Sequence, residues 1–291
     1  MTFSTVDFNL LSGSNNYLLG TPTSNLQYKG IGTFTITNDM NLGGTSSLYF
    51  AYGDSSTGKI RIAITRDLNI NGNTTVYGAY TSGAFTLRAG RNLTLTQGKF
   101  SGQNYSLNAQ VDSIIIGTAF LFNSAIASDY FKANRSAGNT IVTSSTFSVL
   151  NSGTGYGQGI ALVDSGAANL SFITSQFTIN AGKFCGILSG SGTLTFNCSG
   201  AIDMNGGIFR GNENTTYVNP GGLSFIAGSI DYSGGIFSCY YNCNNAGSAG
   251  TVTINGACTI EFSSTSDEFT FLGLATTAFD INNMSLTLTI T

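Results

Sequence analysis

Apolar and polar residues alternate along this chain in short bursts, and the bursts return at nearly constant intervals. The triplets Phe34-Thr35-Ile36, Ile60-Arg61-Ile62, Phe85-Thr86-Leu87 and Ile114-Ile115-Ile116 open the series. It continues through Ile141-Val142-Thr143, Leu170-Ser171-Phe172, Leu194-Thr195-Phe196, Leu223-Ser224-Phe225 and Val252-Thr253-Ile254. Successive starts lie 24 to 29 residues apart, and a looser copy, Phe8-Asn9-Leu10, precedes the first by 26. A period of two marks a strand, because successive side chains point to opposite faces. The outer members of each triplet are therefore expected inside and the middle residue outside.

A second triplet follows within each unit. It reads Met40-Asn41-Leu42, Leu68-Asn69-Ile70, Leu93-Thr94-Leu95 and Phe147-Ser148-Val149, then Phe177-Thr178-Ile179, Ile202-Asp203-Met204, Ile230-Asp231-Tyr232 and Cys258-Thr259-Ile260. A third segment is visible in Gly98-Lys99-Phe100, Gly182-Lys183-Phe184, Gly207-Ile208-Phe209 and Gly235-Ile236-Phe237. Three short strands per unit, joined by Gly, Asn and Ser turns, describe one coil of a parallel β-solenoid (β-helix). One coil cannot bury its own apolar face, whereas stacked coils share a continuous core. The expected fold is all-β: a single solenoid over residues 1–291, of about ten coils of 24–29 residues. Within it, 1–30 reads as an irregular N-terminal coil or cap, 31–264 as regular coils, and 265–291 as a C-terminal coil ending in an exposed strand. An antiparallel sandwich also yields short alternating strands, but has no reason to repeat them at a near-fixed step.

These repeats resemble those of the right-handed parallel β-helix proteins: autotransporter-like and filamentous adhesins, phage fibre modules and pectin-lyase-like enzymes. The resemblance spans nearly the whole chain through generic repeat residues. It implies the fold and a choice among scaffold, glycan-binding and polysaccharide-cleaving roles.

Composition sharpens the choice. Gly numbers 38 and Pro 2, while charged residues are only 9% of the chain, so Ser, Thr and Asn fill most polar positions. The net charge of −3 and the lack of any Lys/Arg run argue against nucleic acid, whose binding depends on neutralised phosphates. No apolar run is long enough to span a bilayer as a helix. The N-terminus has no basic and apolar leader pattern, so either the protein is not exported by that route or the chain starts after a removed leader. The expected location is extracellular, at a cell surface or on a virion.

Histidine is absent, which removes Ser-His-Asp and Cys-His hydrolases and the usual zinc sites. No cofactor or metal site is expected. The glycine-rich run Gly153-Thr154-Gly155-Tyr156-Gly157-Gln158-Gly159 lacks the Lys-Ser/Thr of a phosphate loop and reads as a turn between coils. The best catalytic candidates are Asp203 and Asp231, which occupy matching phrases. On adjacent coils they would stand about 5 Å apart on the outer face, close enough for one carboxyl to take up acid work. The plainer reading makes them members of an outward polar column with Asn41, Asn69, Thr94, Ser148, Thr178 and Thr259. A companion column, Thr35, Thr86, Ser171, Thr195, Ser224 and Thr253, raises ice binding as a lesser alternative.

Five cysteines lie in the last part of the chain, and Cys239 and Cys243 could close a small disulfide loop. Cys185, Cys198 and Cys258 read as buried thiols. Tyr217, Tyr240 and Tyr241 could meet a glycan from the turns. Finally, the chain closes on an alternating strand containing Leu286, Leu288 and Ile290, and opens on a strand-like segment with Val6, Phe8 and Leu10. Both are unpaired sheet edges if uncovered, and such edges invite another chain. The expected function is a non-catalytic structural or surface protein that assembles with itself into a fibre, sheath, shell or adhesive stalk. The alternative is a β-helix that binds or cleaves carbohydrate through Asp203 and Asp231, and surface glycans are the other expected partner.

Overall fold

Among the described residues every strand pairing is parallel, and three ladders of such pairings carry the three kinds of segment. The structure is a computed structural model. It describes residues 2–10, 15–17, 31–51, 59–79, 82–103, 108–134, 138–164, 167–188, 192–213 and 223–238. Near the C-terminus it describes 251–254, 257–262, 268–270, 278–280 and 285–290.

The first ladder is best followed through its inward residue: Phe34 pairs with Ile62, Ile62 with Leu87, Leu87 with Ile114 and Ile114 with Val142. The same position continues through Phe172, Phe196 and Phe225, and the backbone pairing goes on to Val252 and Phe279. In the second ladder Phe8, Met40, Leu68, Leu93, Phe120, Phe147, Phe177, Ile202, Ile230, Cys258 and Leu286 pair in turn. In the third, Leu48, Val76, Phe100, Phe131, Ile160, Phe184, Phe209 and Phe237 do the same. A parallel β-solenoid of three faces is the result.

Residues 59–213 make six such units in succession, and in most of them two segments fuse into one long strand, as in Asn139–Asn151 and Thr193–Met204. This regular body is smaller than the ten even coils expected. Below it and beyond Leu223–Tyr232 the same ladders continue only through strands of three to six residues.

The core is a set of stacked aromatic columns. Phe120 lies 4.2 Å from Phe147, and Phe147 lies 5.5 Å from Phe177, with near-parallel rings. Phe172, Phe196 and Phe225 stack at 4.9 and 5.0 Å, and Phe184, Phe209 and Phe237 at 5.1 and 4.9 Å. Between columns the rings meet edge to face, as Phe177 meets Phe184 at 4.9 Å and 78°. Offset stacking along the rod and edge contacts across it are the two arrangements the ring quadrupole favours.

The register departs from the triplet alignment in two ways. Phe34 pairs with Ile62 rather than Ile60, and Phe225 rather than Leu223 pairs with Val252. A slip of two residues keeps every side chain on its own face, so alternation alone cannot detect it. At Ile141-Val142-Thr143 the slip is one residue: Val142 is buried, and Ile141 stands 46% exposed between Ser113 and Ser171. Two outward columns, not one, therefore run up the first face.

At the tightest turns glycine is required. Gly182 has φ of +88°, and a Cβ there would lie 2.2 Å from Ser152 Oγ and 2.4 Å from Ser152 N. That hydroxyl accepts a hydrogen bond from the Lys183 N–H at 2.8 Å. Gly182→Ala is expected to lose about 1–3 kcal/mol, read as a lower thermal midpoint.

Candidate functional site

The second ladder brings Asp203 opposite Asp231, between the pairs Ile202–Ile230 and Met204–Tyr232. Asp203 is half-buried and accepts a hydrogen bond from Gln176 Nε2 at 3.1 Å; Asp231 is exposed. Their column also contains Asn9, Asn41 and Asn69, whose side-chain amides bond one to the next at 2.9 and 2.8 Å. It crosses an apolar rung at Leu121, which pairs with Thr94 and Ser148. Arg210, the cation nearest in sequence, belongs to the third ladder and bonds Glu213 at 3.0 Å.

One position before the second triplet lies a corner ladder that the sequence reading missed. Asp39 N–H is 3.5 Å from Asp7 Oδ1, Asp67 N–H donates to Asp39 Oδ1 at 3.2 Å, and Asn92 N–H donates to Asp67 Oδ1 at 3.1 Å. Each carboxylate thus satisfies a backbone donor of the next coil. Arg66 pairs with Asp39 at 3.5 Å, and Arg91 bonds Asp67. The common place of Asp7, Asp39, Asp67 and Asn92 before the triplet was the available signal.

The third face holds most of the remaining charge. The ammonium of Lys132 is 3.0 Å from Asp164 Oδ1 and 4.7 Å from the centre of the Tyr130 ring. Lys99 approaches the same ring at 5.9 Å. Two coils higher, Lys183 is 1% exposed: its ammonium pairs with Glu213 and donates to the Gly155 carbonyl at 3.0 Å. Glu213 also takes the Arg210 guanidinium, giving two cations on one carboxylate. The glycine-rich segment is indeed a turn, with a defined fold. Gly155 N–H donates to Gln158 Oε1 at 2.9 Å, and Tyr156 projects outward, 69% exposed. This turn lies over the strand Lys183–Ile187, every residue of which is buried.

On the first face the two outward columns mix hydroxyl, apolar and charged residues. Thr35, Ala63, Arg88, Ile115, Thr143, Ile173, Asn197 and Ile226 form one; Thr33, Arg61, Thr86, Ser113, Ile141, Ser171, Thr195 and Ser224 form the other. The Thr/Ser column expected from the triplets is thus divided between two columns, with Arg61 and Arg88 interrupting it. From Ser113 to Ile226 neither column carries a charge.

At the lower edge Val6 is 60% exposed and Phe3 42%, while Phe8 and Leu10 pack partly against the core. At the upper edge Ser285–Ile290, which contains Leu286, Leu288 and Ile290, pairs with Ala257–Phe262. Cys239, Cys243, Tyr217, Tyr240 and Tyr241 lie outside the described residues. Among the described residues no His, Cys, Asp or Glu group converges in a way that could hold a metal ion, and no helix is long and apolar enough to cross a membrane.

Cys185 and Cys198 are buried thiols. Burial raises both, helped by Glu213 at Cys185 and by Asp203 at Cys198, whose thiol is pushed up to about 11. An unfolded thiol loses its proton near 9, so the Cys198 contribution to stability is complete below that pH. It is lost as pH climbs toward 11. In the folded protein at pH 8 both thiols are expected to resist iodoacetamide, and to react after denaturation. Site-resolved mass spectrometry reads this directly, because only the thiolate is nucleophilic.

The geometry defines a class, the parallel β-solenoids. No family model, no curated protein and no solved structure matches the chain.

Proposed function

We propose that this protein is a non-catalytic structural subunit, a rigid β-solenoid that associates with copies of itself in a fibre, sheath, shell or adhesive stalk. An extracellular, cell-surface or virion location suits that role. The observation that carries the proposal is the first face between Ser113 and Ile226. Its outward columns are uncharged, and it exposes Ile115, Ile141 and Ile173 among hydroxyls. A like face can meet it without burying an unpaired charge. Five levels of strands about five residues long make a patch of roughly 24 by 17 Å. At roughly 400 Å² per copy this is too small for a stable isolated dimer, so lateral contacts gain strength only when repeated along a rod. End-to-end stacking supplies the repetition: Phe8 and Leu10 of one copy would extend the columns that hold Leu286 and Leu288 of the next, with the exposed Val6 beside them.

Light scattering over a wide concentration range, with negative-stain microscopy, tests this. Rising mass and rods or bundles are expected for the wild type. The double substitution Ile141→Lys/Ile173→Lys should abolish lateral bundles while leaving the far-UV circular dichroism unchanged. A sharply monomeric wild type at every concentration contradicts the proposal.

The polysaccharide-cleaving alternative rests on the matched register of Asp203 and Asp231. Depolymerising activity that disappears in Asp203→Asn and Asp231→Asn would establish it over the structural reading, whereas activity unchanged in both would remove it.

A further inference from the structure

We propose that the glycine-rich turn 152–158 is a strap, hinged at both ends and latched by Lys183, that opens over the third face while the coils beneath it stay folded. The starting point is an apolar cluster on the outer side of a sheet. Ala161 and Cys185 pair in register, and they continue the outward column that holds Lys132 below and Arg210 above. Side chains on that side of a strand ordinarily meet water. Here Ala161 is 1% exposed and Cys185 is fully buried, and with Leu188 they form a small core apart from the aromatic one.

The strap is what crosses them. A Cβ on Gly157 would lie 3.8 Å from Lys132 Nζ and 3.9 Å from Leu188 Cδ2, so the backbone there bridges the coils below and above Ala161. Its ends are fixed to the stack. Ser152 Oγ accepts the Lys183 N–H at 2.8 Å, and the Gly159 N–H donates to the Asp129 carbonyl at 3.1 Å. Between those ends the hold is slight. Thr154, Gly155 and Tyr156 are exposed, and the Gly155 and Gln158 N–H groups bond within the turn itself. Gly157 and Gly159, at φ of +71° and +70°, adopt a conformation in which glycine moves at little cost. Among the described residues, the hydrogen bond that ties the middle of the strap to the coils runs from Lys183 Nζ to the Gly155 carbonyl. Breaking it leaves the ammonium on Glu213, so opening strands no buried charge. Segments with few apolar contacts and few bonds to the core are those that open locally. Once open, the strap bares an apolar slot of Ala161, Cys185 and Leu188 beside the Lys132–Asp164 pair. The third face thus has a closed state and an open, apolar one, independent of assembly through the first face.

Cys185 reports on the slot, and Cys198, which packs in the main core, is the internal control. Lys183→Met removes the latch and keeps Arg210 on Glu213. Gln158→Ala removes the brace on the Gly155 N–H. Circular dichroism should be unchanged in both. Iodoacetamide labelling of the folded protein, resolved by mass spectrometry, should be at least about tenfold faster at Cys185 in Lys183→Met than in the wild type, as the loss of one charge-assisted bond implies. It should be faster in Gln158→Ala as well, with Cys198 unchanged in both. The Lys183 charge favours the Cys185 thiolate, so its removal alone slows labelling, and acceleration reports access. In the wild type, hydrogen exchange over residues 153–158 should outpace that of the strand Gly159–Val163 and ignore low urea, as a local opening does. Acceleration of Cys185 and Cys198 together would mean global unfolding, and no acceleration at Cys185 in either variant would mean a rigid strap; each overturns the proposal. Should Lys183→Met fail to fold, Gln158→Ala and the exchange of the wild type decide.

Discussion

Glu213→Gln is expected to cost about 3–5 kcal/mol, because breaking a buried ion pair leaves the other charge uncompensated. Lys183 is 1% exposed and Arg210 is largely covered, and Glu213 is the carboxylate that both engage. Removing its charge leaves the buried Lys183 ammonium without its carboxylate. The Gly155 carbonyl would still accept from Lys183, but one neutral dipole cannot replace a carboxylate. The loss is therefore larger than for an exposed pair such as Lys59–Asp112, whose removal should change stability by about 0–1 kcal/mol. The triple variant Lys183→Met/Arg210→Met/Glu213→Leu should recover most of the deficit, since an apolar cluster bears no desolvation penalty. Thermal midpoints of the wild type, the single and the triple variant decide the matter. A single variant as stable as the wild type would show the network to be dispensable.

The second large effect is in the aromatic core. Phe177 is fully buried and touches five rings, with Phe184 at 4.9 Å, Phe196 at 5.4 Å, Phe147 at 5.5 Å, Phe209 at 5.6 Å and Phe172 at 6.1 Å. Phe177→Ala is expected to lose about 3–5 kcal/mol, the transfer term plus a cavity that rigid stacked coils cannot collapse. Phe177→Leu should lose clearly less, since it keeps much of the volume. Denaturation followed by near-UV circular dichroism reads the difference. Equal losses for Ala and Leu would mean that the stacking geometry, not the filled volume, holds this level together.

Much of this fold was legible because its rule is local. Alternation set the inside of each strand, and the recurrence of Phe147-Ser148-Val149, Phe177-Thr178-Ile179 and Ile202-Asp203-Met204 set which strands stack. The exact register was less legible, because a two-residue slip such as Phe34 onto Ile62 leaves the pattern of faces untouched. Ile141 was misplaced for a different reason: Val142 beside it is equally apolar, and the burial of its neighbours in the ladder chose between them.

The third-face cluster was harder to see. Lys99 and Lys183 share the phrase Gly-Lys-Phe, which hints at a common place. Their partners Tyr130, Gly155 and Glu213 come from different coils, about 28 to 31 residues away. Only the stacking brings them together. Asp203 and Asp231 were visible as a pair for the opposite reason, since the repeat itself carries them into register.

The most direct test of the structure proposed here is a set of distances up one column. Nitroxide side chains placed pairwise from Asn41 to Thr94, Ser148 and Asp231 span two, four and seven ladder steps. At about 4.8 Å per step, pulsed electron paramagnetic resonance should give separations near 10, 19 and 34 Å, rising linearly along a straight rod. Separations that stop rising, with Asn41 and Asp231 within roughly 20 Å of each other, would fit two sheets packed face to face about 10 Å apart and contradict the solenoid.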